Sequence, residues 1–295
     1  MSPNNLIDAG QHPSADVLTK AVVWPSIHPS HGIGTSEAVD DALPVRLAGL
    51  ATAVPPHELK QGDIAREATA LFSGRYADFD RLRPVFESTG IERRYAVRPF
   101  EWFREPHGWP DRTETYLQCG TDLFVKAATA ALHNAGLRAR DVDTVITVSS
   151  TGIATPSLEA RALVDMGFRE DIARIPVFGL GCAGGVSGLA LAARLARAQP
   201  GSVVLMVAVE LCTLAFRTDT LTKANIVATA VFADGAAAAV VSTAPANGTG
   251  NSGTLLGASG QTTWPGTLDI MGWDVDPVGF GAIFSKNIPA LVRER

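Results

Sequence analysis

The stretch "GLGCAGGVSGLALAARLARA", residues 179–198, sets one cysteine between a short apolar run and an alanine-rich segment of helical period. A cysteine at a helix entrance faces backbone N–H groups with no partner inside the helix, and the positive end of its dipole. Both favour thiolate over thiol, and the thiolate is the nucleophile. The glycines around Cys182 leave room for an acyl thioester, and their N–H groups could hold an oxyanion. The same residues permit a plain reading, a free cysteine packed as a small hydrophobe. Local context leaves both open for Cys182. Cys119, inside an amphipathic helical pattern, reads as packing alone.

Two other chemistries use glycines in this way. Gly179, Gly181 and Gly184 fit G-x-G-x-x-G, and Glu210 closes the next strand, where an acid could take a ribose. That dinucleotide reading is opposed by the motif's place in mid-series, by a cysteine that pyrophosphate does not need, and by the further Gly185. The hydrolase elbow, G-x-nucleophile-x-G, fails because Leu180 stands where its first glycine belongs.

The elements that must position Cys182 follow from periodicity. "PVRLAGLATAVPP" reads as a strand ending in a turn, and from about residue 114 to Gly136 apolar residues recur at helical spacing. "DTVITVSS" reads as a buried strand, "SLEARALVDMG" as a short helix, and "ARIPVFGLG" as a strand. Residues 183–198 form a helix, "SVVLMVAVE" a strand, "TKANIVATAVF" a helix and "GAAAAVVS" a strand. Alternation of this kind predicts an α/β fold with a largely parallel sheet covered on both faces. The 186–198 helix is apolar nearly all round, which predicts a helix buried in the middle of a layered protein. Residues 1–44 show no sustained period and read as an irregular extension. A first α/β half then spans 45–246, and "ANGTGNSG" reads as a flexible link into a second segment over 247–295.

Bulk properties narrow the function classes. Net charge is −5, with no basic footprint, so no nucleic-acid partner is expected. No apolar run reaches the ~18 residues of a membrane span. Three cysteines suit no disulfide framework and point to a reducing, cytoplasmic setting. No metal is expected.

Several segments in order carry a family resemblance. "GCAGG" with its Ala/Leu-rich helix, "VAVELCTLAFR", "VATAVFADGAAAAVV", "STGIERRYAV", "VSSTGIATPSLEARAL" and "MGWDVDPVGFGAIFSKNI" resemble the type III polyketide synthases, the chalcone/stilbene synthase-like branch of the thiolase superfamily. The resemblance runs from about Pro44 to the end. It implies a thiolase-like αβαβα layered fold, with the N-terminal half complete and the C-terminal half truncated. It implies a homodimer that uses coenzyme A thioesters as substrates and no other cofactor. A cysteine takes an acyl group from an acyl-CoA. Malonyl-CoA then decarboxylates and its enolate attacks the cysteine thioester, leading to resorcinol, pyrone or chalcone-type products. Cys182 falls on the nucleophile and Phe232 on a gate between the coenzyme A tunnel and the cavity. Ser150, Thr151, Cys212, Ala215 and Gly272 fall on cavity walls. Thr155, before Pro156, falls where a residue reaches across the dimer. Arg81 falls on a coenzyme A phosphate position. The two companion positions hold Pro84 and Ser88, which leaves Arg83 as the substitute. The small Ala215 leaves space for a long fatty acyl starter.

The resemblance also implies a histidine and an asparagine that serve decarboxylation. All six histidines precede Cys182 and none lies in a matching motif, and Asn287 reads as a helix-start residue. The expectation is a chain that is inactive or poorly soluble by itself. Competing readings are a ketoacyl synthase III-like or HMG-CoA synthase-like condensing enzyme, and a non-catalytic acyl-CoA-binding remnant.

Overall fold

The computed structural model describes residues 43–244 and 253–294. The expected extension over 1–44 and the expected link in "ANGTGNSG" lie outside these residues, apart from Leu43, Pro44 and Gly253. The elements run β1 (Arg46–Ala53), β2 (His57–Lys60), α1 (Gln61–Phe72), α2 (Phe79–Leu82), α3 (Val85–Ser88), β3 (Arg93–Ala96) and α4 (Trp109–Asn134). They continue β4 (Thr144–Val148), α5 (Leu158–Arg161), α6 (Leu163–Met166), β5 (Ala173–Val177), α7 (Gly184–Ala198), β6 (Val203–Leu211), α8 (Lys223–Val231) and β7 (Asp234–Ser242). Last come β8 (Thr254–Leu255), β9 (Met271–Val275), β10 (Phe280–Phe284) and α9 (Ile288–Glu294).

Six strands form one sheet in the order β5-β4-β6-β7-β1-β8. Here the sequence expectation needs correction: the sheet is mixed. β4 is parallel to β5 and β6, but β6–β7, β7–β1 and β1–β8 are antiparallel. The reason lies in the β6–β7 connection. A parallel return needs a crossover that travels the length of the sheet. The 212–233 segment, with the short α8, instead re-enters where β6 leaves, so Leu211 pairs with Asp234. The two-residue β8 then adds to the outer edge of β1.

Both faces of the sheet are covered, as alternation requires. On β4, Val145 belongs to the cluster built with Phe124, Ala127 and Ala131 of α4. Ile146 and Val148 point the other way, into the cluster with Ala192, Ala193 and Ala196 of α7. α7 lies close to the sheet: a Cβ on Gly188 would meet Val148 Cγ2 at 2.8 Å, and one on Gly184 would meet Val148 Cγ1 at 2.6 Å. The expectation that α7 is buried all round is corrected. Its sheet side is buried, while Val186 on the outer side is 73% exposed, because no described element lies over it.

Helix α4 begins at Trp109, a turn and a half before its apolar period becomes legible, with Pro110 in its first turn. The expected helix over 158–166 is two single turns, α5 and α6, closed by Gly167. The strand expected in "PVRLAGLATAVPP" is found as Arg46–Ala53, and the helix expected in "TKANIVATAVF" as Lys223–Val231. Outside the sheet, α1, α2, α3 and α8 enclose a further core of Phe72, Phe79, Phe86 and Ile226. The Gln61 amide donates into it, to Phe86 O and Ala230 O at 3.0 Å each.

The α4–β1 contact supplies a stability prediction. A Cβ on Gly49 would sit 2.3 Å from Ala131 O and 2.9 Å from Ala135 Cβ. Gly49→Ala should lower unfolding free energy by about 3 kcal/mol through overpacking. Urea titration should show a lower midpoint with an unchanged slope.

Candidate active site

Cys182 lies on a single 3-10 turn, Gly181–Ala183, which runs directly into α7. Gly179 (φ 88°) and Gly181 (φ 53°) occupy the left-handed region that favours glycine, and they fold the chain from β5 into this turn. The glycines therefore divide their work. Gly179 and Gly181 set the backbone, Gly184 lets α7 approach the sheet, and a Cβ on Gly185 would meet nothing within 4 Å. The side chain of Cys182 is exposed.

The turn is tied to the sheet through one short chain of hydrogen bonds. The Gly181 N–H donates to Ser150 Oγ at 2.9 Å, directly beside the nucleophile candidate. The Ser150 N–H in turn donates to both carboxylate oxygens of Glu210, at 3.0 and 3.1 Å. Thr151 Oγ1 donates to Glu210 Oε2 at 2.7 Å and accepts from Leu211 N–H at 2.8 Å. Burial pushes the Glu210 carboxyl above the ordinary carboxylate value, while the Thr151 hydroxyl and the Ser150 and Thr151 N–H groups pull it back. The acid that could have met a ribose is thus committed to holding Ser150 and Thr151. Its place at the end of the apolar run "VVLMVAVEL" is the signal that marks it.

Cys212 and Phe232 face a cavity of about 300 Å³ that lies between α1, the 3-10 turn Phe100–Arg104, and α8. Its walls are mostly apolar, with Leu59, Ile64, Leu71, Phe100 and Phe103 among them. The Glu67–Arg104 ion pair, at 2.5 Å, also lines it. Burial and the nearby Glu210 and Asp234 carboxylates push the Cys212 thiol up, with Cys182 acting in the same direction. Phe232 packs edge-on against Trp273 at 5.7 Å between ring centroids, and Trp273 Nε1 donates to Ser150 O at 2.7 Å. Trp273 is a site residue that sequence reasoning missed.

Phe232 is fixed from behind. Arg94 donates to the carbonyls of Phe232 and, at 2.8 Å, Thr229. Desolvation lowers the Arg94 guanidinium to about 10, against the pull of Asp234. Asp234 accepts from Val97 N–H and Thr213 N–H at 2.8 Å each and from Thr213 Oγ1 at 2.6 Å. Burial pushes it up to about 6, opposed by those bonds and by Arg94.

The shift of Asp234 has a definite sign. An acid whose pKa is raised on folding binds more protons folded than unfolded, so stability falls as pH rises between the two values. The wild type should therefore lose stability between the ordinary carboxylate value and about 6. In Asp234→Asn that loss should be clearly smaller, and what remains belongs to Glu210, whose carboxyl burial also raises. Asp141, Asp171, Asp219 and Asp276 are held below the ordinary value, chiefly by their arginine partners, and titrate below this window. Urea midpoints across the window, wild type against variant, check it.

The other expected residues fall as follows. Ala215 is buried and lies outside the cavity lining. Gly272 lies on β9, exposed, with open space where a Cβ would stand. Thr155 is exposed and precedes Pro156 across a cis bond. Arg81 and Arg83 are exposed on and just after α2, and Arg81 faces Asp78 at 4.0 Å. Neither arginine reaches the cavity. Asn287 directly precedes α9, as a helix-start residue should.

Among the described residues no histidine is hydrogen-bonded to Cys182. His107 is stacked on Trp102 and bonded to Asp111 and Trp102 O. No group of three or more metal-ligating side chains occurs among the described residues, and no described helix is long and apolar enough to cross a membrane.

Residues 47–245 match the family described as chalcone and stilbene synthases, N-terminal domain. A putative chalcone synthase of Bacillus subtilis is 34% identical over 260 residues, covering 84% of this chain and 70% of the relative. The 1,3,6,8-tetrahydroxynaphthalene synthase of Streptomyces peucetius is 36% identical over 247 residues, covering 84% of this chain. This chain spans only 65% of that enzyme's length. Among solved structures, the tetrahydroxynaphthalene synthase of Streptomyces coelicolor, described as a bacterial type III polyketide synthase, superposes with a TM-score of 0.79 at 30% identity. That match covers 84% of this chain and 70% of the other. Germicidin synthase from the same organism gives 0.80 at 26% identity, with 86% and 73% covered. The Cys182 turn, its Ser150–Glu210 support and these likenesses agree, and the chain belongs to the type III polyketide synthases, the chalcone and stilbene synthase family.

Proposed function

We propose that Cys182 accepts an acyl group from an acyl-CoA in a polyketide-forming condensation. The thiolate attacks the thioester carbonyl, the C–S bond to coenzyme A breaks, and coenzyme A leaves as the thiol. The enolate left when malonyl-CoA loses carbon dioxide then attacks the Cys182 thioester, and the cysteine is released. One observation carries this reading: an exposed cysteine on a glycine-set turn, anchored through Ser150 to Glu210.

The finer parts of the proposal have their own supports. The apolar walls of the cavity favour a fatty acyl starter, in place of the argument from Ala215. Exposed Arg81 and Arg83 suit the coenzyme A phosphates. The exposed Thr155, beside exposed Ile153, suits a face that meets a second copy. Free cysteines suit a reducing cytoplasm. With no histidine hydrogen-bonded to Cys182 among the described residues, these 295 residues alone are expected to be acylated but not to extend the chain.

Intact-mass measurement with dodecanoyl-CoA, butanoyl-CoA and p-coumaroyl-CoA tests this. One acyl group should be gained, fastest from dodecanoyl-CoA. A preference for p-coumaroyl-CoA rejects the fatty starter, and binding without covalent gain supports a non-catalytic acyl-CoA binder instead. Sustained coenzyme A release on adding malonyl-CoA rejects the absence of extension.

A further inference from the structure

The β9–β10 hairpin is a two-stranded sheet of its own, with no ladder to the main sheet. Its placement therefore depends on side chains. The hairpin carries Trp273, which bonds Ser150 O and packs on Phe232, and Phe284, whose ring centroid lies 6.3 Å from that of Phe232. What holds it in place is concentrated at its turn. Asp276 Oδ1 accepts the N–H groups of Val278 and Gly279, at 2.8 and 3.1 Å, which leaves Oδ2 for a partner. That partner is Arg217 Nη1, at 2.5 Å.

Arg217 is itself buried and paired. Its side chain is 7% exposed, and Asp219 takes Nε and Nη2 at 2.9 and 2.6 Å. Asn225 of α8 donates to its carbonyl at 2.7 Å. Behind it, Arg112 donates to His107 O and Phe216 O at 2.9 Å each, and also to Leu214 O. The Gly279 backbone rests against Arg112: a Cβ there would stand 3.3 Å from Arg112 Cδ. Trp109 Nε1 adds a bond to Asp276 O at 2.8 Å.

We propose that the Arg217–Asp276 ion pair is a latch that positions the β9–β10 hairpin, and that through Trp273 it sets the width of the acyl site between Phe232 and the Cys182 turn. Arg217 touches no reacting atom and acts through Trp273, so it is a positioning residue that determines specificity. The proposal deepens the reading of Cys182 as acyl acceptor and rests on it for the specificity part alone.

Asp276→Asn isolates the latch. The asparagine Oδ1 still accepts from Val278 and Gly279, and Arg217 keeps Asp219, so no buried charge is stranded. Asp219→Asn is the control, because it leaves the link to the hairpin intact. The full chain is labelled with fluorotryptophan, and Trp273→Phe identifies the Trp273 fluorine resonance among the five tryptophans. In Asp276→Asn that resonance should shift or broaden, and in Asp219→Asn it should stay in place. The preference of Cys182 for dodecanoyl-CoA over butanoyl-CoA should fall on the order of tenfold in Asp276→Asn. Alkylation of Cys182 by iodoacetamide should not change. A Trp273 resonance unmoved in Asp276→Asn, or moved alike in both variants, overturns the latch. An unchanged chain-length preference overturns its role in specificity. If even the wild type gains no acyl group, the reading of Cys182 fails, and the Trp273 resonance alone decides the latch.

Discussion

Glu210→Ala should slow the acylation of Cys182 by about a hundredfold and lower stability by about 3 kcal/mol. The side chain sits one residue before the end of β6 and accepts from Ser150 N–H and Thr151 Oγ1. Removing it strands a backbone donor at Ser150 and frees the residue whose Oγ fixes Gly181 N–H. Cys182, the proposed acyl acceptor, is the next residue, so a shift of the turn is carried directly to its Sγ. Glu210→Gln should lose far less. An amide oxygen can still accept from Ser150 N–H, and the Thr151 hydroxyl can reorient. Acylation rates by mass spectrometry and urea midpoints for both variants measure the difference. Equal rates in Glu210→Ala and wild type would show that the turn holds itself.

Arg94→Ala should have the larger effect on folding, about 3–5 kcal/mol, because it strands two carbonyls and removes the positive charge that offsets the buried Asp234. Asp234 would keep its three donors but lose the guanidinium that offsets its burial. Two carbonyl groups, that of Thr229 in α8 and that of Phe232 just after it, would lose their donor together. The cavity wall would open, since Arg94 and Phe232 both line it. Arg94→Lys keeps the charge but not the fork that reaches both carbonyls, and should fall between. Calorimetric unfolding of the three proteins at one pH ranks them. A wild-type-like transition in Arg94→Ala would remove Arg94 from this account.

The sequence made some of this legible and hid the rest for physical reasons. Cys182 stood out because glycines on both sides of a lone cysteine form a local pattern. The strands and helices from β4 to β7 stood out because their apolar periods are strong. Strand direction did not, since "GAAAAVVS" reads the same running either way, and only the short return through α8 makes β7 antiparallel. The α1–α3 region was hidden because α2 and α3 are single turns and the core of Phe72, Phe79 and Phe86 is spread over separate elements. The part Glu210 plays, and Arg94, Asp234 and Arg217 altogether, were hidden for another reason. A charged residue looks like surface in a sequence, and its burial depends on partners far along the chain. Arg94 reaches 138 residues to Phe232, and Arg217 reaches 59 to Asp276. Trp273 was unreadable in the same way, because its partner Ser150 lies 123 residues earlier.

The central claim is that Cys182, and no other cysteine, carries the acyl group. The direct measurement is peptide-level mass mapping of the chain after brief exposure to dodecanoyl-CoA, with Cys119, Cys182 and Cys212 on separate peptides. Burial holds the Cys119 and Cys212 thiols above their ordinary value, so both should remain unmodified while the exposed Cys182 takes the group. The account predicts a hydroxylamine-labile dodecanoyl group on the Cys182 peptide alone, absent in Cys182→Ala. An acyl group on Cys212 or Cys119, or one that persists in Cys182→Ala, would contradict it.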